Sequence, residues 1–237
     1  MMITSIHNKT IKELMKLKQK KYRQQYYLVE SMHLVEEAVR THQADLVIST
    51  APVDMGVENL LVSKEVMAKL AFTKTPQPIM ARCRIQKNNE LIMGNRYLLL
   101  DNLQDPGNIG TLVRTALAFG IDQIILSKQC VDLYNDKLLR SMQGAHFHIS
   151  CIYRDLEEVI VQLQQNGVTV IGSALENGKE IDMIAKRKKL AFILGNEGNG
   201  MDHKLLALCD EVAYIPISTI ESLNVAVAGS IMMYHFR

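Results

Sequence analysis

The sequence has little that points to disulfides, metal sites or membranes. Its four cysteines are scattered through 237 residues, without the paired spacing of a zinc site or the pattern of a disulfide-stapled domain. We expect reduced, buried thiols. No run approaches the roughly 18 apolar residues that span a bilayer, and the N-terminus lacks a signal-peptide stretch. We therefore expect a cytoplasmic protein with no membrane segment and no metal. The cysteines are Cys83, Cys130, Cys151 and Cys209.

What the chain has is an ordinary globular composition and an uneven distribution of charge. Its net charge of +2 is too small to establish a polyanionic partner. However, residues 1–25 hold seven basic residues against one acidic residue, Glu13, a net charge of +6 that leaves −4 for the remainder. This favours a nucleic-acid contact, the alternative being a solvated basic helix. The basic residues are Lys9, Lys12, Lys16, Lys18, Lys20, Lys21 and Arg23.

The pattern of strands and helices predicts two α/β domains. Residues 1–85 read as a small unit in which Ser31 caps a helix. Residues 86–95 are a polar linker. From 96 to 237, near-continuous apolar strands alternate with helices, which predicts a buried parallel sheet. Helices are expected at 112–119 and 222–236, among others, and a strand at 147–151.

The first of three notable loops spans residues 101–116, D-N-L-Q-D-P-G-N-I-G-T-L-V-R-T-A. Pro106 and Gly107 are expected to turn the chain, with Asn108 near the start of a helix that carries Arg114. Helix pitch separates these two side chains, but they converge if Asn108 lies in the preceding loop. The alternative is a helix cap and a surface arginine.

The second and third loops also follow predicted strands, where ligands of open α/β sheets bind. In residues 193–201, I-L-G-N-E-G-N-G-M, three glycines surround Glu197, and glycine permits close backbone approach; a simple Gly-rich turn is the alternative. This spacing is not the G-x-G-x-x-G of dinucleotide sites, so an oxidoreductase is a remote reading. In residues 215–230, Ser222 and Asn224 precede a helix rich in small residues, the alternative being a packed helix capped by Ser222.

Taken together, these segments resemble the SpoU/TrmH branch of the SPOUT methyltransferases. The motifs N-x-G-x-x-x-R-T-A, G-x-E-G-x-G and P-x-x-x-x-x-S-L-N-V-x-V-A occur intact and in order. The front segment Y-L-V-E-S-M-H-L-V-E-E-A is similar to the family's substrate-binding domain, with Ser31 where a glycine is usual. The resemblance implies a SPOUT domain with a deep trefoil knot over 96–237 and an RNA substrate-binding domain over 1–85.

The resemblance also implies an activity and its residues. The reaction is methyl transfer from S-adenosylmethionine to a ribose 2'-hydroxyl of RNA, ribosomal RNA more than transfer RNA, by a homodimer joined through the knot domain. Asn108, Arg114, Glu197, Ser222 and Asn224 are the implied catalytic residues. Gly195, Ile215 and Leu223 are the implied cofactor contacts, while the seven basic residues near the N-terminus are expected to bind RNA.

A guanidinium does not normally lose its proton. We therefore expect Arg114 to hold a phosphate and to stabilise developing charge. The alternatives are a transfer RNA enzyme and a non-catalytic RNA-binding protein on the same fold. His146 and His148, alternate residues in a predicted strand, are expected to be structural or to face RNA rather than to bind a metal.

Overall fold

A computed structural model describes residues 2–86, 89–175, 178–196, 198–219 and 222–237. It divides into two compact units, Met1–Lys87 with Asp132–His148, and Asn88–Val131 with Ile149–Arg237. In the described residues the strands are β1 (Tyr26–Glu30), β2 (Ala44–Ser49), β3 (Asn59–Leu61), β4 (Ile79–Arg84), β5 (Arg96–Leu100), β6 (Gln123–Leu126), β7 (Ser150–Tyr153), β8 (Thr169–Ser173), β9 (Lys179–Glu180), β10 (Leu190–Leu194) and β11 (Glu211–Tyr214). The helices are α1 (Lys9–Lys16), α2 (Met32–Arg40), α3 (Lys64–Leu70), α4 (Pro106–Ala118), α5 (Asp136–Met142), α6 (Leu156–Gln165), α7 (His203–Leu208) and α8 (Val225–His235).

The first unit is built on a four-stranded sheet in the order β1-β4-β2-β3, in which only β2 and β3 run parallel. Ile11 and Leu14 of α1 are buried against Ile48 of β2 and Met67 of α3. This apolar stripe of α1 explains why so basic a helix is held on the sheet. Helix α1 ends at Lys16, and a 3₁₀ turn follows at Lys20–Tyr22.

Ser31 caps α2 as predicted, because its side chain accepts a hydrogen bond from the Leu34 amide at 3.3 Å. It does so with φ at +127°, a backbone conformation that favours glycine. The residue that departs from the family motif therefore keeps the glycine-type backbone of the turn, and adds a hydroxyl that stabilises the helix start.

The segment Asp132–His148 belongs to the first unit, although the sequence-based boundaries assigned it to the second domain. The ring of Tyr27 on β1 packs on Tyr134, with centroids 4.5 Å apart. Arg23 pairs with Asp132, and His148 pairs with Glu37 at 2.7 Å. Long-range contacts of this kind leave no trace in local periodicity, which is why the sequence placed the segment elsewhere.

The strand expected at 147–151 begins only at Ser150, so His146 and His148 do not alternate on a strand. Ala145–Phe147 is a 3₁₀ turn that contains His146. Both ring nitrogens of His146 are buried and lack a hydrogen-bond partner among the described residues. Burial, together with the nearby His148, lowers the pKa of His146 to about 3.

The second unit contains the expected parallel sheet, with seven strands in the order β7-β6-β5-β10-β8-β11-β9. Every residue of β6 and β10 is buried, which confirms the prediction of a sheet covered on both faces. Helix α4 begins six residues earlier than expected, because Asp105 caps it and Pro106 occupies its first turn, a favoured place for proline.

Helix α8 packs on this sheet through small residues. A side chain at Gly229 would place its Cβ 2.4 Å from Leu194 and 2.6 Å from Leu112. Glycine thus lets α8 lie directly against β10 and α4, and Thr115 and Ser230 meet through their hydroxyls at 3.2 Å. Among the described residues, none of the helices combines the length and apolar composition that a bilayer span requires.

The buried imidazole of His146 predicts acid sensitivity. Its lowered pKa means that the unfolded chain binds the extra proton first, so stability is lost as pH falls below about 6.5. Each pH unit costs at most about 1.4 kcal/mol from this group. Urea unfolding between about pH 7 and pH 5 is expected to show a gain in stability of His146→Leu over wild type that grows on acidification. The exposed-residue control, His7→Leu, should follow wild type. Parallel pH profiles of His146→Leu and wild type would contradict this.

Candidate active site

The first two motif loops meet at the carboxyl ends of paired strands. Because β5 and β10 are neighbours, the residues that follow them lie side by side. The Asn196 side-chain amide donates to the Asn102 carbonyl at 2.9 Å. The Asp202 amide donates to the Asp101 carboxylate at 3.0 Å. These two hydrogen bonds hold the loop after β5 against the loop after β10 at this edge of the sheet.

The second loop is a tight turn organised by Asn196. Its backbone pairs with Gly200 in both directions, at 3.0 and 2.9 Å, and its side-chain oxygen accepts from the Gly198 amide at 2.8 Å. A Cβ on Gly195 would lie 2.2 Å from the Met201 nitrogen and 2.3 Å from the Gly200 carbonyl carbon. Glycine is therefore required here for the loop to fold on itself, a role that the sequence had assigned to ligand approach. Glu197 lies outside the described residues.

The first and third loops are joined by two asparagines. Asn224 caps α8 by accepting from the Ala226 and Val227 amides at 2.9 and 3.3 Å. Its amide nitrogen donates to the side-chain oxygen of Asn108 at 2.9 Å. The reading in which Ser222 caps the last helix is wrong, because the helix starts at Val225 and Ser222 is an exposed residue before the cap. An asparagine cap contributes about 1 kcal/mol.

Arg114 is exposed on α4 and forms no hydrogen bond or ion pair with the residues that the structure describes. Asn108 lies inside the first turns of the same helix, not in the loop before it. Six residues correspond to about one and two-thirds helical turns, so the two side chains point to different sides. The hydrogen bond between Asn108 and Asn224 therefore does not involve the Arg114 guanidinium.

The third loop borders a cavity of about 570 Å³ lined by the residues from Pro216 to Thr219. Ile215 and Leu223, on either side of this stretch, are half-buried. The volume is that of a typical small-molecule site. The predicted cofactor contacts in this loop therefore lie next to a space of suitable size.

A second cavity, of about 580 Å³, was not foreseen from the sequence. It opens at the carboxyl ends of β5, β6, β7 and β10. Its walls include Ser127, Lys128 and Arg154, which lie in segments without glycine-rich or motif-like features. Only the position of these segments after strands that proved to be neighbours could have indicated the site.

The basic residues near the N-terminus divide into two groups. Lys18 donates to the Ala71 carbonyl at 2.6 Å and lies over the Phe72 ring, and the Arg23 side chain is only 8% exposed in its ion pair with Asp132. These two hold the unit together. The exposed lysines that remain are Lys9, Lys12, Lys16, Lys20 and Lys21.

Metal and thiol chemistry find no support in the described ranges. These residues contain no group of three or more His, Cys, Asp or Glu side chains arranged for a metal ion. All four cysteines are free. Burial raises the pKa of the Cys151 and Cys209 thiols to about 12, so neither is a thiolate at neutral pH.

Comparison with known families gives two matches. A family model described as the SpoU rRNA methylase family matches residues 95–234. A model described as the MRM3-like substrate binding domain matches residues 8–81.

Individual proteins agree with these models over the whole chain. The 23S rRNA (guanosine(2553)-2'-O)-methyltransferase RlmP of Bacillus subtilis is 38% identical, with 99% of this chain and 98% of that protein covered. An uncharacterized tRNA/rRNA methyltransferase of Synechocystis is 31% identical over 99% of this chain and 93% of its own. The crystal structure of an AdoMet-bound rRNA methyltransferase from Sinorhizobium meliloti superposes with a TM-score of 0.89 at 26% identity, covering 100% of this chain and 97% of that one.

Proposed function

The chain belongs to the SpoU rRNA methylase family, and we propose that it methylates a ribose 2'-hydroxyl of ribosomal RNA with S-adenosylmethionine as donor. The observation that carries this proposal is the convergence of the three motif loops. Two side-chain hydrogen bonds, Asn196 to Asn102 and Asn224 to Asn108, fasten segments that lie up to 116 residues apart in the chain. A shared pocket for methyl donor and acceptor requires this convergence.

Ribosomal RNA is favoured over transfer RNA by the relatives that match along their full length. The Bacillus subtilis relative acts on a guanosine of 23S rRNA, and the Sinorhizobium meliloti structure is of an rRNA methyltransferase. A guanosine of the large ribosomal RNA is therefore the proposed target, and the cytoplasm is the proposed location. A non-catalytic RNA-binding protein is disfavoured, because Asn108, Arg114 and Asn224 are all present.

The residues around the third loop fit S-adenosylmethionine. The cavity from Pro216 to Thr219 has the necessary volume. Ile215 and Leu223 offer apolar surface, and with Gly195 they are the proposed contacts. When bound, the cofactor supplies a methyl group already activated by a sulfonium, so the protein has only to orient the acceptor and manage its proton.

Arg114 is the proposed main catalytic residue of the protein. Its permanently charged guanidinium holds a phosphate next to the reacting ribose and stabilises the charge that develops on the hydroxyl oxygen. The phosphate, rather than the arginine, accepts the proton. Asn108 and Asn224, already hydrogen-bonded to each other, position the nucleotide; Ser222 and Glu197 complete the proposed set.

A homodimer accounts for the free position of Arg114. Helices α4 and α8 expose the apolar side chains of Leu117, Val227, Ile231 and Tyr234, and the last three line a groove of about 360 Å³. Such an apolar surface on two adjacent helices fits a self-complementary contact with a second copy. Because Arg114 projects from α4, dimerisation through this face brings it toward the site of the partner.

Two further features are proposed from the family alone. The strands that precede the second and third loops, β10 and β11, flank β8 in the sheet, the region where a deep trefoil knot is expected. The domain with residues 96–237 is the proposed methyltransferase domain, and residues 1–85 form the proposed RNA substrate-binding domain.

Removing the guanidinium tests the catalytic proposal. Arg114→Ala is expected to abolish methylation of rRNA fragments in a tritiated-methyl assay, while calorimetry shows unchanged cofactor binding. Arg114→Lys keeps the charge but loses the two-pronged geometry and should recover little activity. The control Arg187→Ala removes an exposed arginine of the same unit and should be near wild type. An active Arg114→Ala enzyme refutes the role.

The exposed lysines of the first unit predict a salt-dependent contact. Replacing Lys12, Lys16 and Lys20 by alanine should weaken RNA binding and lower the slope of log affinity against log salt by about 0.7 to 0.9 per lost phosphate contact. Lys18→Ala serves as the matched control, because Lys18 is held by backbone carbonyls and should alter thermal stability more than the slope. Equal slopes for wild type and the triple variant in filter binding would argue against this surface.

A further inference from the structure

The cavity of about 580 Å³ at the carboxyl ends of β5, β6, β7 and β10 has no role in the reaction described above. It opens where β5 lies between β6 and β10. From β5 the chain builds outward through β6 and β7, and later strands are added on the other side. A crevice at such a reversal of strand order is where open parallel sheets bind ligands.

This cavity is distinct from the proposed methyl-transfer residues. Arg114, Asn108 and Asn224 do not line it, and neither do the proposed cofactor contacts Ile215 and Leu223. It shares with them the start of the first motif loop, Asp101 and Asn102, and the second motif loop, of which Asn196, Asn199, Gly200 and Met201 form one wall. A ligand held here would therefore contact none of those five methyl-transfer and cofactor residues.

The floor of the cavity is fixed by hydrogen bonds. The Asn102 amide donates to the Ser127 hydroxyl at 2.9 Å, and the Asn102 carbonyl receives the Asn196 side chain at 2.9 Å. Asn102 adopts a φ of +54° to make both contacts. The polar groups that remain available are thus presented from a rigid frame, which reduces the ordering that binding requires.

The rim carries side chains with uncommitted polar groups. Lys128, Gln129, Glu157 and Asn199 make no side-chain hydrogen bond within the described part of the chain. The walls hold four carboxylates, Asp101, Asp155, Glu157 and Asp202, against two cationic side chains, Lys128 and Arg154. An excess of negative charge disfavours a phosphate, while mixed donors and acceptors suit a neutral, planar, hydrogen-bonding ligand.

We propose that this cavity binds an unstacked guanine base of the RNA substrate. A proteinaceous pocket that takes a base out of its stack recognises the base edge by hydrogen bonds. Guanine offers N–H donors to a carboxylate such as Glu157 and carbonyl and ring-nitrogen acceptors to an ammonium such as Lys128. Asn199 and Gln129 supply further donors and acceptors. The inference rests on the proposed function, since it names a base of the same RNA.

The test uses the full-length protein and a synthetic rRNA fragment that wild type methylates. Inosine, which lacks the exocyclic amine of guanine, replaces each guanosine near the methylated ribose in turn, the target included. Wild type is expected to lose roughly 10-fold in kcat/KM at one position, the cost of one base contact. Glu157→Gln, which keeps the shape of the side chain, should methylate the guanosine and inosine RNAs at similar rates.

Two controls separate recognition of the base from a general effect of charge loss and from a loss of cofactor binding. Lys128→Ala should relax discrimination against 7-deazaguanosine, which lacks the ring-nitrogen acceptor, at the same position, whereas Lys186→Ala, an equal charge loss on an exposed lysine of the same unit, should preserve it. Calorimetry with S-adenosylmethionine should give wild-type affinity for Glu157→Gln and Lys128→Ala.

Each other outcome overturns the inference. A uniform loss across all RNAs indicates a phosphate contact, and lost cofactor binding assigns the cavity to S-adenosylmethionine. Full guanine discrimination in Glu157→Gln removes the base from this cavity. If wild type methylates no RNA, the proposed function itself fails, which is a separate result.

Discussion

The arrangement of the second unit depends on two asparagine side chains that bond across the sequence. Asn196 reaches the Asn102 carbonyl, and Asn224 reaches the Asn108 side chain. Each also organises its own neighbourhood with its oxygen: Asn196 closes the glycine turn and Asn224 caps α8. An amide can do both because it donates and accepts at once. A carboxylate would keep the local bond and lose the distant one. These two residues therefore hold the loops that follow β5, β10 and β11 together at one edge of the sheet.

Two glycines allow the close backbone packing on which this edge of the sheet depends. Gly195 is needed because the turn folds back on the Gly200–Met201 peptide, and Gly229 is needed because α8 lies on β10 and α4. The small residues of the motifs thus serve the packing of the protein on itself first.

The local sequence pattern predicted much of the fold but less of the functional site. Strands β6 and β10 belong to the predicted buried parallel sheet, because each is a short, fully buried and mainly apolar run. The early start of α4 was present in the sequence as Asp105 before Pro106, a cap and a first-turn proline, yet was interpreted as a turn. The place of Asp132–His148 in the first unit depends on partners far away in the chain, which a single sequence does not reveal. Asn224 caps α8 through local bonds to Ala226 and Val227, and this role was assigned to Ser222 because serine is an equally good cap. Glu197 lies outside the described residues, and the roles of the motif residues stay predictions.

The central claim is that an edge assembled from three distant loops performs ribose methylation of ribosomal RNA. Ribose-methylation mapping of total ribosomal and transfer RNA, from cells with and without the protein, tests it most directly. The account predicts that one 2'-O-methyl group disappears from the large ribosomal RNA and returns when the wild-type gene is supplied. An unchanged set of ribose methylations in ribosomal RNA would contradict it.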